Sequence, residues 1–201
     1  MRQNRGMKVI CITGGMGSGK SRVLQYLKEK NIDAVNADEM SREVVCKGEP
    51  ALVDIVEEFG AEYLDVSGNL DRKKLGNLVF ADRRKLDILE NILYSYIKEN
   101  ILKYISDAKL RNREMFIVEA INPFDKRFFD MFDEIWVVHS NLEKRIERVE
   151  KRDGLKYNEA MDRIKSQKSD EEYFAIADRV IENNDDSFDE IKVQIDKILG
   201  E

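Results

Sequence analysis

The sequence predicts an α/β fold, a five-stranded parallel sheet with helices on both faces, and three observations predict it. Short apolar runs alternate with segments whose apolar residues recur at helical spacing. The first run, Val9-Ile10-Cys11-Ile12, leads straight into Gly14-Gly15-Met16-Gly17-Ser18-Gly19-Lys20-Ser21. Val23, Leu24 and Leu27 then continue as an apolar stripe at helical spacing. The octapeptide meets every fixed position of the template G-x-x-x-x-G-K-[ST]. Strand, glycine loop and helix together make the opening unit of a P-loop NTPase, in three layers.

Each later element follows from its own pattern. Residues 1–6 are polar and read as a loose leader without the apolar stretch of a signal peptide. Ile32 to Asn36 reads as the second strand. A helix from about Asp38 to Cys46 follows, broken by Lys47-Gly48-Glu49-Pro50. Ala51 to Phe59 is a helix stopped at Gly60, and Val66-Ser67-Gly68-Asn69 is a turn. Leu75 to Phe80 and Lys85 to Leu110 are helices, the longer one burying Leu89, Ile92, Leu93, Tyr96 and Ile97. Met115 to Ala120 is the third strand and Glu134 to Val138 the fourth, with Trp136 in the core. Asn141 to Arg152 is an amphipathic helix, with another near Asn158 to Gln167. Arg179 to Ile181 is a short fifth strand, and Phe188 to Leu199 closes the chain as a helix. In such sheets the ligand lies at the carboxyl ends of the strands. The glycine loop, Asp38 and Glu119 all fall at such ends and are expected at one site.

Composition narrows the partners. The chain has 201 residues, 42% hydrophobic and 37% charged, which suits one domain with a true core. A net charge of −6 argues against nucleic acid or a membrane surface as partner. No apolar run is long enough to span a membrane. Cys11 and Cys46 give no disulfide framework, so a reducing cytoplasm is expected. A small-molecule substrate and a monomer or weak homo-oligomer complete that expectation.

The loop glycines let backbone N–H groups converge on phosphate oxygens, and the helix N-terminus adds partial positive charge. Lys20 would reach the β- and γ-phosphates and the Ser21 hydroxyl would sit on Mg²⁺. The nucleotide-binding set is therefore Gly15, Gly17, Ser18, Gly19, Lys20, Ser21 and Arg22. Asp38 and Arg42, four apart, share a helix face, and the guanidinium would keep the carboxylate ionised. Such a carboxylate suits a base for an acceptor hydroxyl, while a helix cap is the competing role for Asp38. Glu119 ends an apolar run as a metal-binding acid would, or is a solvated strand end. Arg145, Arg148 and Arg152 repeat at i, i+3, i+7, either closing over phosphates or forming a solvated face beside Glu143, Glu147 and Glu150. His139, the single histidine, has no acid–base partner in sequence and reads as structural or surface.

From about Lys8 to Ile198 these residues resemble the dephospho-coenzyme A kinase family. Thr13 to Ser21 looks like its TGGIGSGKS, and Asn36-Ala37-Asp38 with Ser41-Arg42 like its DAD…AR. Gly48-Glu49-Pro50-Ala51-Leu52, Phe59-Gly60, Gly68, Leu70-Asp71-Arg72, Leu75 and Phe80 recur at family-like spacing. Arg148 and Arg152-Asp153 look like its lid arginines, while Arg163, Gln167, Ala177-Asp178 and Ile181-Glu182-Asn183-Asn184 resemble its closing pattern.

The resemblance implies an NMP-kinase-like fold in a single domain. The core would span about 7–37, 112–145 and 178–201, a helical acceptor-binding region about 38–111, and a lid about 146–177. It implies ATP and Mg²⁺, with transfer of the γ-phosphate to the ribose 3′-hydroxyl of dephospho-coenzyme A. Lys20, Asp38 and Arg148 would be catalytic, and Arg148 would also touch ATP. Asp38, Arg42 and Glu119 would face the substrate, and Ser21 and Glu119 the metal. Asn36 replaces the first acid of DAD, Tyr94-Ser95 replaces the family's His-Pro, and Glu119-Ala120-Ile121-Asn122-Pro123-Phe124-Asp125 replaces D-x-P-L-L-F-E. The last two changes fall where the acceptor pocket is expected. The alternatives are a kinase for another nucleoside or nucleotide, and a nucleotide-binding regulator without turnover.

Overall fold

The computed structural model describes residues 6–120, 127, 130–185 and 187–200. Its strands are β1 (Lys8–Thr13), β2 (Asp33–Asn36), β3 (Met115–Glu119), β4 (Glu134–His139) and β5 (Arg179–Glu182). Its helices are α1 (Lys20–Glu29), α2 (Ala37–Glu43), α3 (Pro50–Phe59), α4 (Arg72–Ala81), α5 (Arg83–Leu110), α6 (Leu142–Asp153), α7 (Tyr157–Lys165), α8 (Asp170–Ala175) and α9 (Asp189–Leu199), with a 3₁₀ turn at Ala61–Tyr63. The strands form one parallel sheet in the order β2-β3-β1-β4-β5.

The chain forms two compact units, residues 1–35 with 108–201, and residues 36–107. In the first, alternation along the strands sorts side chains to two faces. Ile10, Ile12, Ile117, Trp136, Val138 and Ile181 face one way, packed against Val23, Leu24 and Leu27 of α1 and Ile191 and Ile195 of α9. Cys11, Ile135 and Val137 face the other way, against Tyr173 of α8. Burial pushes the Cys11 thiol up to about 12, so it behaves as a small apolar core residue. Ile146 and Val149 of α6 pack with Ala160 and Ile164 of α7 in a separate cluster.

The second unit is helical. Ala51, Leu52 and Ile55 of α3 and Leu75 and Val79 of α4 are buried. Proline at the first position of α3 and Gly60 at its end, φ 106°, set its limits. The stripe expected on α5 is displaced: Leu89, Ile92, Leu93 and Tyr96 are only half-buried, and full burial begins at Ile97 and continues at Ile101 and Ile105. Tyr96 donates its hydroxyl to Asp54 at 2.6 Å, which fixes its polar end.

The short helix α8 was not expected. It has six residues, three of them acidic in its first turn, so no apolar period announces it. A capping box does: Ser169 Oγ accepts from Glu172 N, and the Glu172 carboxylate accepts from Ser169 N. Among the described residues no helix is long and apolar enough to cross a membrane.

Candidate functional site

The site begins where β1 hands the chain to the glycine loop and the loop to α1. Gly19 stands at the N-cap of α1 with φ 93°, and no side chain caps the helix. A Cβ at Gly19 would overlap the Asn183 amide, so both the backbone angle and the close approach require glycine. An uncapped N-terminus in this setting suits an anion. Lys20 Nζ donates to Gly14 O at 2.7 Å, which holds the ammonium against the loop. The hydroxyls of Thr13 and Ser18 are buried without a hydrogen-bond partner among the described residues. Buried hydroxyls of that kind, beside a lysine and a helix N-terminus, suit a polar ligand on the loop.

Side chains from distant segments turn the loop carbonyls outward. Arg148 Nη1 donates to Gly17 O at 3.2 Å, and Asn183 Nδ2 to Ser18 O at 2.6 Å. In a trans peptide the C=O and the next N–H point opposite ways. The held Ser18 carbonyl therefore directs the Gly19 N–H to the other face of the loop, while the Ser18 N–H closes the loop on Gly15 O at 3.2 Å. Asn183 is buried, and its N–H donates to His139 O at the end of β4. Arg148 Nη2 also donates to Asn183 O at 3.0 Å and to its Oδ1 at 3.4 Å, so Arg148 braces Asn183.

The three arginines of α6 separate by environment. Arg145 is buried and donates to Met16 O and to Asp170. Arg148 lines a cleft of about 370 Å³ with Met16, Gly17, Gly19, Lys20, Ser21, Arg22 and Glu119. Arg152 also lines it, but its guanidinium is bidentate to neighbouring Asp153 at 2.7 and 2.9 Å. One spacing thus yields three different environments. Arg22 lies 5.0 Å from the Phe188 ring centroid, an aromatic seat that holds its charge at the cleft.

Asp38 and Arg42 belong to the helical unit. The competing cap role for Asp38 is overturned, because the N-cap of α2 is Asn36. Its side chain accepts from Asp38 N at 2.8 Å and Glu39 N at 3.1 Å. The residue that departs from the family's DAD thus supplies the cap, for which asparagine serves as well as aspartate. Arg42 O accepts from Arg72 Nη2 at 2.9 Å, tying α2 to α4. His139, which has no acid–base partner in sequence, meets two carboxylates in space: Nδ1 lies 2.8 Å from Glu182 Oε2 and Nε2 3.5 Å from Asp170 Oδ2. On α5, Lys98 lies 5.4 Å from the Tyr94 ring, and Ser95 donates to Asn91 O at 3.2 Å. Ile121-Asn122-Pro123-Phe124-Asp125 lies outside the described residues.

A family model described as dephospho-CoA kinase matches residues 8–189. The chain belongs to the dephospho-CoA kinase family. A dephospho-CoA kinase of Bacillus cereus is 38% identical over 95% of each chain. One of Carboxydothermus hydrogenoformans is 33% identical over 96% of this chain and 93% of its own. Among solved structures, TT1252 from Thermus thermophilus has a TM-score of 0.80 at 26% identity, over 98% of both chains. The chain is therefore a kinase with a P-loop NTPase-like fold. By sequence, Asn183 and Gln167 stand out only as parts of a family pattern. The structure gives them work at the loop: Asn183 on Ser18 O, Gln167 Oε1 on Met16 N at 2.6 Å.

Proposed function

We propose that this chain transfers the γ-phosphate of ATP to the ribose 3′-hydroxyl of dephospho-coenzyme A, giving coenzyme A and ADP. The observation that carries the reading is the braced glycine loop with Lys20, in a chain matched to the dephospho-CoA kinase family over residues 8–189. In the reaction the acceptor oxygen bonds to the γ-phosphorus and the bond to the β-phosphate oxygen breaks. The hydroxyl proton goes to the Asp38 carboxylate. Gly15, Gly17 and Gly19 hold the phosphates through backbone N–H groups, Ser18 shapes the loop by donating its N–H to Gly15 O at 3.2 Å, and Arg22 adds charge at the cleft. Lys20 and Arg148 stabilise the charge that develops on the transferring group and leaving oxygen. Arg42 positions the acceptor beside Asp38.

A hard cation takes oxygen ligands, and the Ser21 hydroxyl and the Glu119 carboxylate line the same cleft. They fit Mg²⁺, with Glu119 also bordering the acceptor. When bound, the ion neutralises phosphate charge. The same reading makes the protein a cytoplasmic monomer or weak homo-oligomer whose partners are small molecules rather than nucleic acid or membrane.

The test is ADP release measured with and without dephospho-coenzyme A, with the product's phosphate located on the ribose. Acceptor-dependent ADP release and a 3′-phosphate are expected. ATP consumption with a different nucleoside or nucleotide alone would replace this acceptor, and tight ATP binding with no transfer would make the chain a regulator.

A further inference from the structure

Met16 occupies an unspecified position of the glycine-loop template, yet both of its backbone polar groups are taken by distant side chains. Its N–H donates to Gln167 Oε1 at 2.6 Å, just after α7. Its C=O accepts from Arg145 Nε of α6 at 2.9 Å. Its side chain packs on the cluster of Ile146, Val149, Ala160 and Ile164. Loop backbone that solvent could satisfy needs no such grip.

Arg145 is 4% exposed. A guanidinium so buried needs a carboxylate, and Nη1 donates to Asp170 Oδ1 at 2.8 Å in the first turn of α8. The loop is shaped around this side chain. A Cβ at Gly15 would overlap the guanidinium, and one at Gly17 would overlap the Arg145 backbone. Asp170 is in turn held in place: its Oδ2 faces His139 Nε2, and the Phe174 ring of α8 packs edge-on against that imidazole at 5.0 Å. By holding the Met16 carbonyl on its own side, Arg145 directs the Gly17 N–H away from itself. Gly17 lines the cleft.

We propose that Arg145 and Asp170 are a positioning pair that presets the glycine loop for the phosphates, one that touches no reacting atom. This rests on reading that loop as the ATP site. Arg145→Lys tests it gently, since one ammonium cannot replace the fixed fork that reaches Met16 O and Asp170 together. Asp170→Asn removes the charge from the other end, and Asp170→Glu displaces it.

The expected result for R145K and D170N is a rise of about tenfold in Kd for ADP and in KM for ATP, the scale of one lost charge-assisted hydrogen bond. KM for dephospho-coenzyme A should stay within about twofold, as one acceptor-side term left untouched. The R145K/D170N double variant should be no worse than the poorer single one, as for two ends of a single interaction. The idea is overturned by lowered melting temperature with unchanged ADP affinity, by equal changes in both KM values, or by additive losses. Should D170N fail to fold, R145K and D170E decide by the same readouts. ADP titration needs no acceptor. A wild-type protein that binds ADP but ignores dephospho-coenzyme A therefore sinks the acceptor assignment and leaves the pair to be judged.

Discussion

The glycine-loop unit and the helical unit of residues 36–107 solve different problems. In the first, side chains from β5's end, α6 and the segment after α7 bond to the loop backbone itself, at Met16, Gly17 and Ser18. In the second, α2 is set by its own cap, Asn36, and tied to α4 by Arg72. On the proposed function, the first unit acts through where its backbone groups point and the second through which side chains its helices present. Nucleotide chemistry would then be built into the first unit's geometry, and acceptor choice would rest on single residues.

That contrast predicts the largest effect at the loop. Lys20→Ala removes the ammonium proposed to stabilise the transferring charge, and kcat should fall by roughly 10³-fold or more. Dephospho-coenzyme A affinity should be nearly unchanged in equilibrium binding. A Lys20 variant that loses acceptor binding as well would show that the two halves are not separable. Asp38→Asn probes the other unit. It keeps shape and removes the proposed proton acceptor, so kcat should fall by about 10²-fold or more while ADP affinity holds. Loss of ADP binding instead would move Asp38 out of the acceptor side. Arg148→Ala stands between these. It removes both a charge at the cleft and the brace on Gly17 O, so kcat should fall and Kd for ADP should rise, each by about tenfold. A change in kcat alone would mean that the brace does not matter.

The same contrast explains what was legible in the sequence. The loop could be read because close approach of backbone to an anion needs glycine at set positions, a strand before and a helix after. The order of strands and helices followed from apolar period. The bracing did not. Arg145, Arg148 and Arg152 are alike in spacing, and only the fold turns the first into Met16's carbonyl and leaves the last on Asp153. His139 could not reveal its carboxylates, which lie 31 and 43 residues away along the chain. The sequence offers both Asn36 and Asp38 as caps for α2, equally good types two residues apart, and only the backbone decides between them. On α5 the apolar pattern runs the whole length, so it could not say that burial is complete only from Ile97 onward.

The smallest predicted effect comes from the far end of the same sheet, where geometry serves stability rather than nucleotide. Glu134 opens β4 and accepts from Lys8, from Trp136 Nε1 at 2.9 Å and from Arg179 Nε at 2.9 Å. Burial alone would raise its pKa, but the three donors outweigh burial and lower it from 4.5 to about 2. A carboxylate depressed on folding stabilises the native state fully above its unfolded pKa, and the contribution is lost as pH falls through the folded one. Glu134→Gln should therefore cost about 1–3 kcal/mol near neutral pH, measured by denaturant unfolding. The difference from wild type should shrink as pH drops from 4.5 towards about 2. ADP affinity should stay at the wild-type value throughout the range where both proteins are folded. If ADP affinity falls along with stability, the loop depends on the whole sheet rather than on its own braces. The distinction between a locally preset loop and a generic scaffold would then fail.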